Sequence, residues 1–357
     1  MIVVGRGRRS CGVMQKRCSR KDAPMSFTVT KPRTRRVQRS ELAVPATSTH
    51  FFERAASSAA DFIFLDLEDA VAPPRKPEAR EIAIEALNRI DWGNKTLAVR
   101  INGLDTEWAH RDVIEIVSRA PRLDLVMVPK VGTAFDVRFV DALLAGLERE
   151  FPRARPLGIE ILIETTLGLA NVEDIVQASE RLEAVIFGIG DYSIDLRTCG
   201  EIIGASDPRY AVLTDADEGG ARRMHWNDQW HFALARIANA CRAHGLRAID
   251  GPFANFGDAA GFRASAARAA ALGFEGKWAI HPSQLETANE VFSPTAREIG
   301  WAREITAKIQ SASAGGDGAF GQDGVLIDLA VLKRAQAIIE RHDAIQAAGR
   351  QGVRDVA

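Results

Sequence analysis

The sequence predicts a parallel (β/α)8 TIM barrel with a C-terminal helical appendage, and two observations carry the prediction. Short runs rich in Val, Ile and Leu recur along the chain, each followed by a longer stretch of helical spacing, as repeated βα units require. Several of those runs close on a charge: Glu68, Arg100, Lys130, Glu164, Asp191 and Asp250. Buried strands that end in charges are what the carboxyl rim of such a barrel presents, and that rim carries the chemistry of the fold.

In chain order the apolar runs place β1 at residues 41–45, β2 at 62–67, β3 at 96–101 and β4 at 124–129. They place β5 at 158–163, β6 at 184–189, β7 at 246–250 and β8 at 277–281. Segments 75–90, 107–119, 134–150 and 172–180 have helical length and mixed apolar and charged spacing. The connection between Asp191 and Leu246 breaks this rhythm with a long insert, and long loops above a barrel rim usually cover the site. Its Tyr192, Tyr210, Trp226, Trp230, His225 and His231 either line a substrate cavity or pack the insert onto the barrel. After β8 a helical region from about Ser283 to Ala314 leads into the Gly-rich stretch GGDGAFGQDG and then a final amphipathic helix. The expected units are a basic tail over 1–38, a catalytic barrel over 39–300 and a C-terminal helical segment over 301–357.

The chain of 357 residues has a formal net charge of −1, distributed unevenly. Residues 1–40 hold twelve Lys or Arg against one acidic residue, Asp22, a local +11 that leaves −12 for the rest. An acidic body argues against a nucleic-acid surface, which needs clustered cations. The tail is too poor in apolar residues to bury a core, so disorder is expected there, and Met25 offers an alternative start. There is no apolar signal-peptide core and no run long enough to span a membrane. Cys11, Cys18, Cys199 and Cys241 form no CxxC pair, so neither a zinc site nor a disulfide framework is expected, and a reduced cytoplasmic setting is.

Glu164 and Asp191 close consecutive predicted strands, which would bring two carboxylates side by side over the mouth. Two hard oxygen ligands suit Mg²⁺, whose remaining positions go to water and substrate oxygens. Glu68 and Asp69 after β2 are candidates to bond metal waters from behind. Arg100 offers a planar fork of donors for a carboxylate or a developing oxyanion. The competing reading of each charge is a salt bridge that caps the barrel, with Glu68 or Glu164 on Arg100 or Lys130. Lys130 and Asp250 are assigned that structural role.

The stretches LDLEDAVAP, VRINGLDT, MVPKVG, HWNDQWH, HGLRAIDGPFANF, GKWAIHPSQ and GVLIDLAVLKRAQ resemble the citrate lyase beta-subunit-like (HpcH/HpaI aldolase) family, in particular its malyl-CoA branch. The similarity runs from Arg39 to the end of the chain. It implies a Mg²⁺-dependent (Mn²⁺ as the alternative) carbon–carbon lyase that cleaves a 3-hydroxyacyl-CoA into glyoxylate and a shorter acyl-CoA. A malyl-CoA thioesterase, a citramalyl-CoA lyase or the beta subunit of a multi-subunit citrate lyase are its alternatives. It also implies a homo-oligomer, trimer or hexamer. On that likeness Glu164 and Asp191 ligate the metal and Arg100 binds the glyoxylate or malyl carbonyl end. Gly190 and Asp191 contact substrate, Ile280 and His281 meet the CoA ester, and Asp328 is the acid–base group delivered to a neighbouring subunit. From the sequence alone Asp328 reads as a helix N-cap. The chain departs from the family pattern after β1, where Ser48 replaces an arginine, and Arg54 stands where relatives carry lysine in the CoA-binding region.

Overall fold

The structure, a computed structural model, describes residues 30, 33, 34, 36–314, 319–322 and 325–354. Eight strands close in chain order into a barrel: β1 Ser40–Pro45, β2 Phe62–Asp66, β3 Thr96–Arg100, β4 Leu125–Val128, β5 Gly158–Ile163, β6 Leu182–Phe187, β7 Arg247–Asp250 and β8 Gly276–Ala279. Every pairing is parallel, and β8 returns to β1 through Glu41 opposite Trp278. Each strand end falls within two residues of its predicted position.

Alternation along the strands separates two cores. Phe62, Phe64, Ala98, Leu125, Met127, Leu162, Ala184, Ile186, Ile249 and Trp278 fill the barrel. Their neighbours, such as Ile63, Leu65, Val126 and Val185, point outward into a larger core. That outer core is shared with the surrounding helices Lys76–Arg89, Ala109–Arg119, Ala134–Glu150 and His231–Ala243. The same period puts Glu160, Leu162 and Glu164 on one face of the β5 segment, so floor, waist and mouth of the barrel are each marked by one of its residues.

Two local expectations change. The helix expected over 172–180 is instead a pair of short ones, Thr166–Ala170 and Val172–Ile175. The Thr165 hydroxyl caps the Gly168 N–H directly after β5, at 2.9 Å, and so starts the first helix early. Asp191 does not end a strand: β6 stops at Phe187, and Asp191 sits in the first turn of the helix Ile189–Asp195.

Residues 1–29 of the basic tail lie outside the described residues. Its last residues belong to the packed body: Arg36 pairs with Glu183 at 2.7 Å and Gln38 is buried, so the body begins ahead of residue 39. At the other end, helices Ala296–Ala314 and Leu329–Arg354 pair around Ala302, Ile305, Ile327 and Ala335. Arg341 fastens this pair to the barrel through Glu275, just before β8, and the carbonyl of Phe292. Among the described residues no helix is long and apolar enough to cross a membrane.

Candidate active site at the barrel mouth

The last inward positions of β2 and β3 are Asp66 and Arg100, paired directly across the sheet. Adjacent strands hold them so that Arg100 donates both Nε and Nη2 to the Asp66 carboxylate, at 2.8 and 2.7 Å. Its Nη1 lies 2.8 Å from Glu68, and the guanidinium stacks 5.2 Å above the Trp278 ring. A fork so fixed loses little rotamer entropy when it meets a further oxygen, and N–H groups on Nη1 and Nη2 remain for one. The carboxylates around it raise the Arg100 pKa against the effect of burial.

Glu164 follows β5 and is 2% exposed. The backbone N–H of Lys130, at the end of the neighbouring strand β4, donates to its Oε1 at 2.7 Å. Lys130 presents that N–H from a left-handed backbone conformation, φ 52°. On the other side Gly188 leaves the room Glu164 needs: a Cβ there would stand 2.4 Å from both the Glu164 Cβ and Oε2. Burial first, then the charges of Glu68 and Asp191, push the Glu164 carboxyl up to about 8 against the pull of Arg100 and Lys130. A buried carboxyl raised by neighbouring carboxylates is a site short of positive charge.

Lys130 Nζ supplies part of that charge. It bonds Glu68 and lies 3.3 Å from Asp69 and 3.7 Å from Asp191. Burial raises the Glu68 pKa despite Arg100 and Lys130, whereas the same two cations outweigh burial at half-exposed Asp69 and lower it. Lys130 itself is raised, because Glu68, Glu164 and Asp191 overcome its own desolvation. The salt bridge with Glu68 read from sequence is present, and the same ammonium also lies near Asp69 and Asp191. Asp250 behaves as read: it pairs with Lys277 at 2.5 Å, fully buried.

Among the described residues no three His, Cys, Asp or Glu side chains converge as metal ligands. Buried Glu164 and half-exposed Asp191 nevertheless fit a hard divalent cation of the Mg²⁺ type, which takes one or two carboxylates and fills its shell with water and substrate oxygens. Both are oxygen donors bridged by one residue, since Lys130 offers its backbone N–H to Glu164 and its ammonium to Asp191.

The remaining sequence candidates spread around the mouth. Gly190 lies in the same turn as Asp191, with Ile203 of the insert 3.5 Å from where its Cβ would be. Ile280 follows β8, and His281 stacks on Phe256 with ring centroids 4.8 Å apart. Arg54 is exposed on the helix Phe52–Ala56 after β1 and pairs with no carboxylate among the described residues. Asp328 caps the last helix, accepting from the N–H groups of Ala330 and Val331 at 2.9 and 3.2 Å, and among the described residues no bond joins it to the mouth. In the insert, Tyr192 and Trp230 are buried against Phe187 and pack it down. Tyr210 and Trp226 face outward.

Asp66 was not among the sequence candidates, although FIFLD puts an acidic residue at an inward position of β2, level with Arg100. The alternation of FIFLD was the available signal, and only the register of β2 on β3 shows that Asp66 meets Arg100.

A closed (β/α)8 barrel with an arginine and a set of carboxylates at its carboxyl rim has the architecture of a barrel enzyme. Residues 39–282 match the HpcH/HpaI aldolase/citrate lyase family, and the chain belongs to it. It is 46% identical over 326 residues to the L-malyl-CoA/beta-methylmalyl-CoA lyase of Cereibacter sphaeroides, covering 90% of this chain and 100% of that one. Identity to the malyl-CoA/beta-methylmalyl-CoA/citramalyl-CoA lyase of Chloroflexus aurantiacus is 36% over 282 residues, 78% of this chain and 80% of that protein. Among solved structures, CitE of Mycobacterium tuberculosis in complex with magnesium, acetoacetate and coenzyme A superposes with a TM-score of 0.65 at 27% identity, covering 85% of this chain and 97% of that one.

Proposed function

We propose that the protein is a Mg²⁺-dependent lyase, with Mn²⁺ as an alternative ion, that reversibly splits L-malyl-CoA or β-methylmalyl-CoA. The products would be glyoxylate and acetyl-CoA or propionyl-CoA. The observation that carries this reading is the mouth itself: Glu164 and Asp191 opposite an Arg100 locked by Asp66 and Glu68. It stands in a chain that matches a malyl-CoA lyase over that protein's whole length.

Glu164 and Asp191 would hold the cation, which supplies Lewis-acid polarisation of the hydroxy-acid oxygens. Arg100 faces the oxyanion end, its orientation fixed by Asp66. In cleavage the bond between the carbinol carbon and the carbon next to the thioester breaks, and its electron pair passes to the thioester as an enolate. The hydroxyl loses its proton as the aldehyde of glyoxylate forms, and the enolate carbon takes one to give the acyl-CoA. Asp328 of a second copy is the proposed carrier of that proton, in a trimer or hexamer. Gly190, Ile280, His281 and Arg54 are the proposed contacts for the CoA ester.

Purified protein given malyl-CoA and Mg²⁺, with glyoxylate trapped as its hydrazone, is expected to release acetyl-CoA and glyoxylate together. Free malate without glyoxylate would make it a thioesterase, and no turnover of malyl-, methylmalyl- or citramalyl-CoA would sink the proposal.

A further inference from the structure

Lys130 combines two features that neither a simple barrel cap nor a substrate ligand requires. Its backbone is left-handed, at φ 52°, a conformation that a lysine adopts only at a cost and that Asn or Gly takes more easily. That conformation turns its N–H onto Glu164 at 2.7 Å. The side chain of the same residue leads to Glu68, to Asp69 at 3.3 Å and to Asp191 at 3.7 Å. One residue thus touches, through backbone or side chain, both carboxylates assigned to the cation and the two behind them. Arg100, a second cation facing this cluster, is already committed to Asp66 and Glu68, and Lys76 to the carbonyls of Leu67 and Glu68. Lys130 is more exposed than Arg100: its side chain is 33% exposed against 7% for Arg100.

We propose that Lys130 is a positioning residue whose ammonium serves as an internal counter-cation for the mouth, holding Glu68, Asp69 and Asp191 together before a divalent cation arrives and competing with that cation for them. Its backbone N–H meanwhile keeps Glu164 in its binding orientation whatever the side chain does. The inference rests on the proposal that Glu164 and Asp191 hold a divalent cation, and it assigns Lys130 no contact with substrate.

Coulomb's law gives the sign. A unit positive charge within a few ångströms of Asp191 repels a doubly charged ion seeking the same carboxylate, and partial burial leaves that repulsion poorly screened. Removing the charge while keeping the backbone must then tighten the ion's binding. A residue that mattered only for packing would have the opposite effect or none.

The test is Mg²⁺ binding to the metal-free full-length protein, followed by calorimetry in the absence of substrate. Lys130→Asn accepts the left-handed backbone and removes the charge, so it is expected to bind Mg²⁺ at least about tenfold more tightly than wild type. Lys130→Arg keeps the charge and should stay within about threefold. The Mg²⁺-induced rise in melting temperature provides a second readout for a variant that folds poorly without metal: it should be larger in Lys130→Asn than in wild type. Equal or weaker binding by Lys130→Asn, or a smaller thermal shift, overturns the counter-cation role. Wild-type protein whose Mg²⁺ binding is absent, or is untouched by Glu164→Gln, overturns the cation-site assignment and this inference with it.

Discussion

Glu160 and Glu164 stand on the same face of one β-strand segment, about 13 Å apart by strand rise, and burial raises the pKa of each. Their surroundings differ. At the floor Glu160 shares the Gln38 amide with Glu41 across the barrel, at 2.7 and 3.1 Å, and Gln38 in turn accepts from Arg247. Arg247 and Arg36 both close on Glu183, and all of these side chains but the partly exposed Arg36 are buried. At the mouth Glu164 has one backbone donor, a glycine beside it, and a half-exposed lysine and aspartate as neighbours. The floor ties its charges to one another, whereas at the mouth the buried Glu164 borders a partly exposed lysine and aspartate. Burial and a perturbed pKa alone thus fail to separate a structural carboxylate from a functional one. A partly exposed lysine and aspartate as neighbours, which Glu164 has and Glu160 lacks, are what distinguish the proposed cation ligand.

The largest expected effect tests the mouth half of that contrast. Glu164→Gln keeps the shape and removes the charge, and kcat/KM for malyl-CoA cleavage should fall by about 10³-fold or more. Glu160→Gln, the same substitution at the floor, should leave kcat/KM within about twofold. Comparable losses in both variants would erase the distinction.

The floor half predicts stability in place of rate. Arg247→Met leaves the Gln38 carbonyl oxygen without its donor in a closed space, while Arg36 still holds Glu183, and urea denaturation should show a loss of about 1–3 kcal/mol. KM and kcat measured well below the new melting temperature should be unchanged.

A smaller effect is expected beside the mouth carboxylate. Gly188→Ala puts a methyl group where Glu164 now sits, 2.4 Å from its Oε2, so the carboxylate must move. Mg²⁺ affinity and activity should each fall by about 10–100-fold, the range seen when a ligand's supporting group is disturbed. Recovery of the activity at high Mg²⁺ would localise the damage to the ion's binding.

The barrel was legible because its signal is local and repeated. An apolar run of strand length followed by a helical stretch identifies a βα unit without knowledge of its neighbours, and all eight strands lie where those runs fall. The charges at the mouth were legible for the same reason, since Glu68, Arg100 and Glu164 each stop an apolar run. What the sequence hid depends on register and backbone. Asp66 reads as part of FIFLD until β2 and β3 are aligned, with Asp66 level with Arg100. Lys130 reads as a cap because its left-handed φ, which turns the N–H onto Glu164, has no signature in PKVG. The floor pair was invisible because Glu41 and Glu160 lie on opposite strands of the closed barrel, far apart in the chain, and only the Gln38 amide shows that they meet.

That pair yields the finest test of floor against mouth, in the pH dependence of stability. Glu41 Oε1 and Glu160 Oε2 are buried without a hydrogen-bond partner among the described residues, as expected where the pair retains a proton. Burial outweighs Arg247 and the Gln38 bond to push Glu160 up to about 7 from an ordinary 4.5, and Glu41 is raised as well. Between those two values the folded protein binds the Glu160 proton more tightly than the unfolded chain does. The contribution is therefore full below about pH 4.5 and is lost as pH rises through about 7. Urea denaturation across that window should show wild-type stability falling with pH. The Glu160→Gln curve should be shallower by at most one proton's slope, about 1.4 kcal/mol per pH unit. Because Glu164 remains in both proteins, the difference between the curves reports the floor pair, Glu160 together with the effect of its charge on Glu41. Parallel curves would mean that Glu160 is already ionised in the folded barrel.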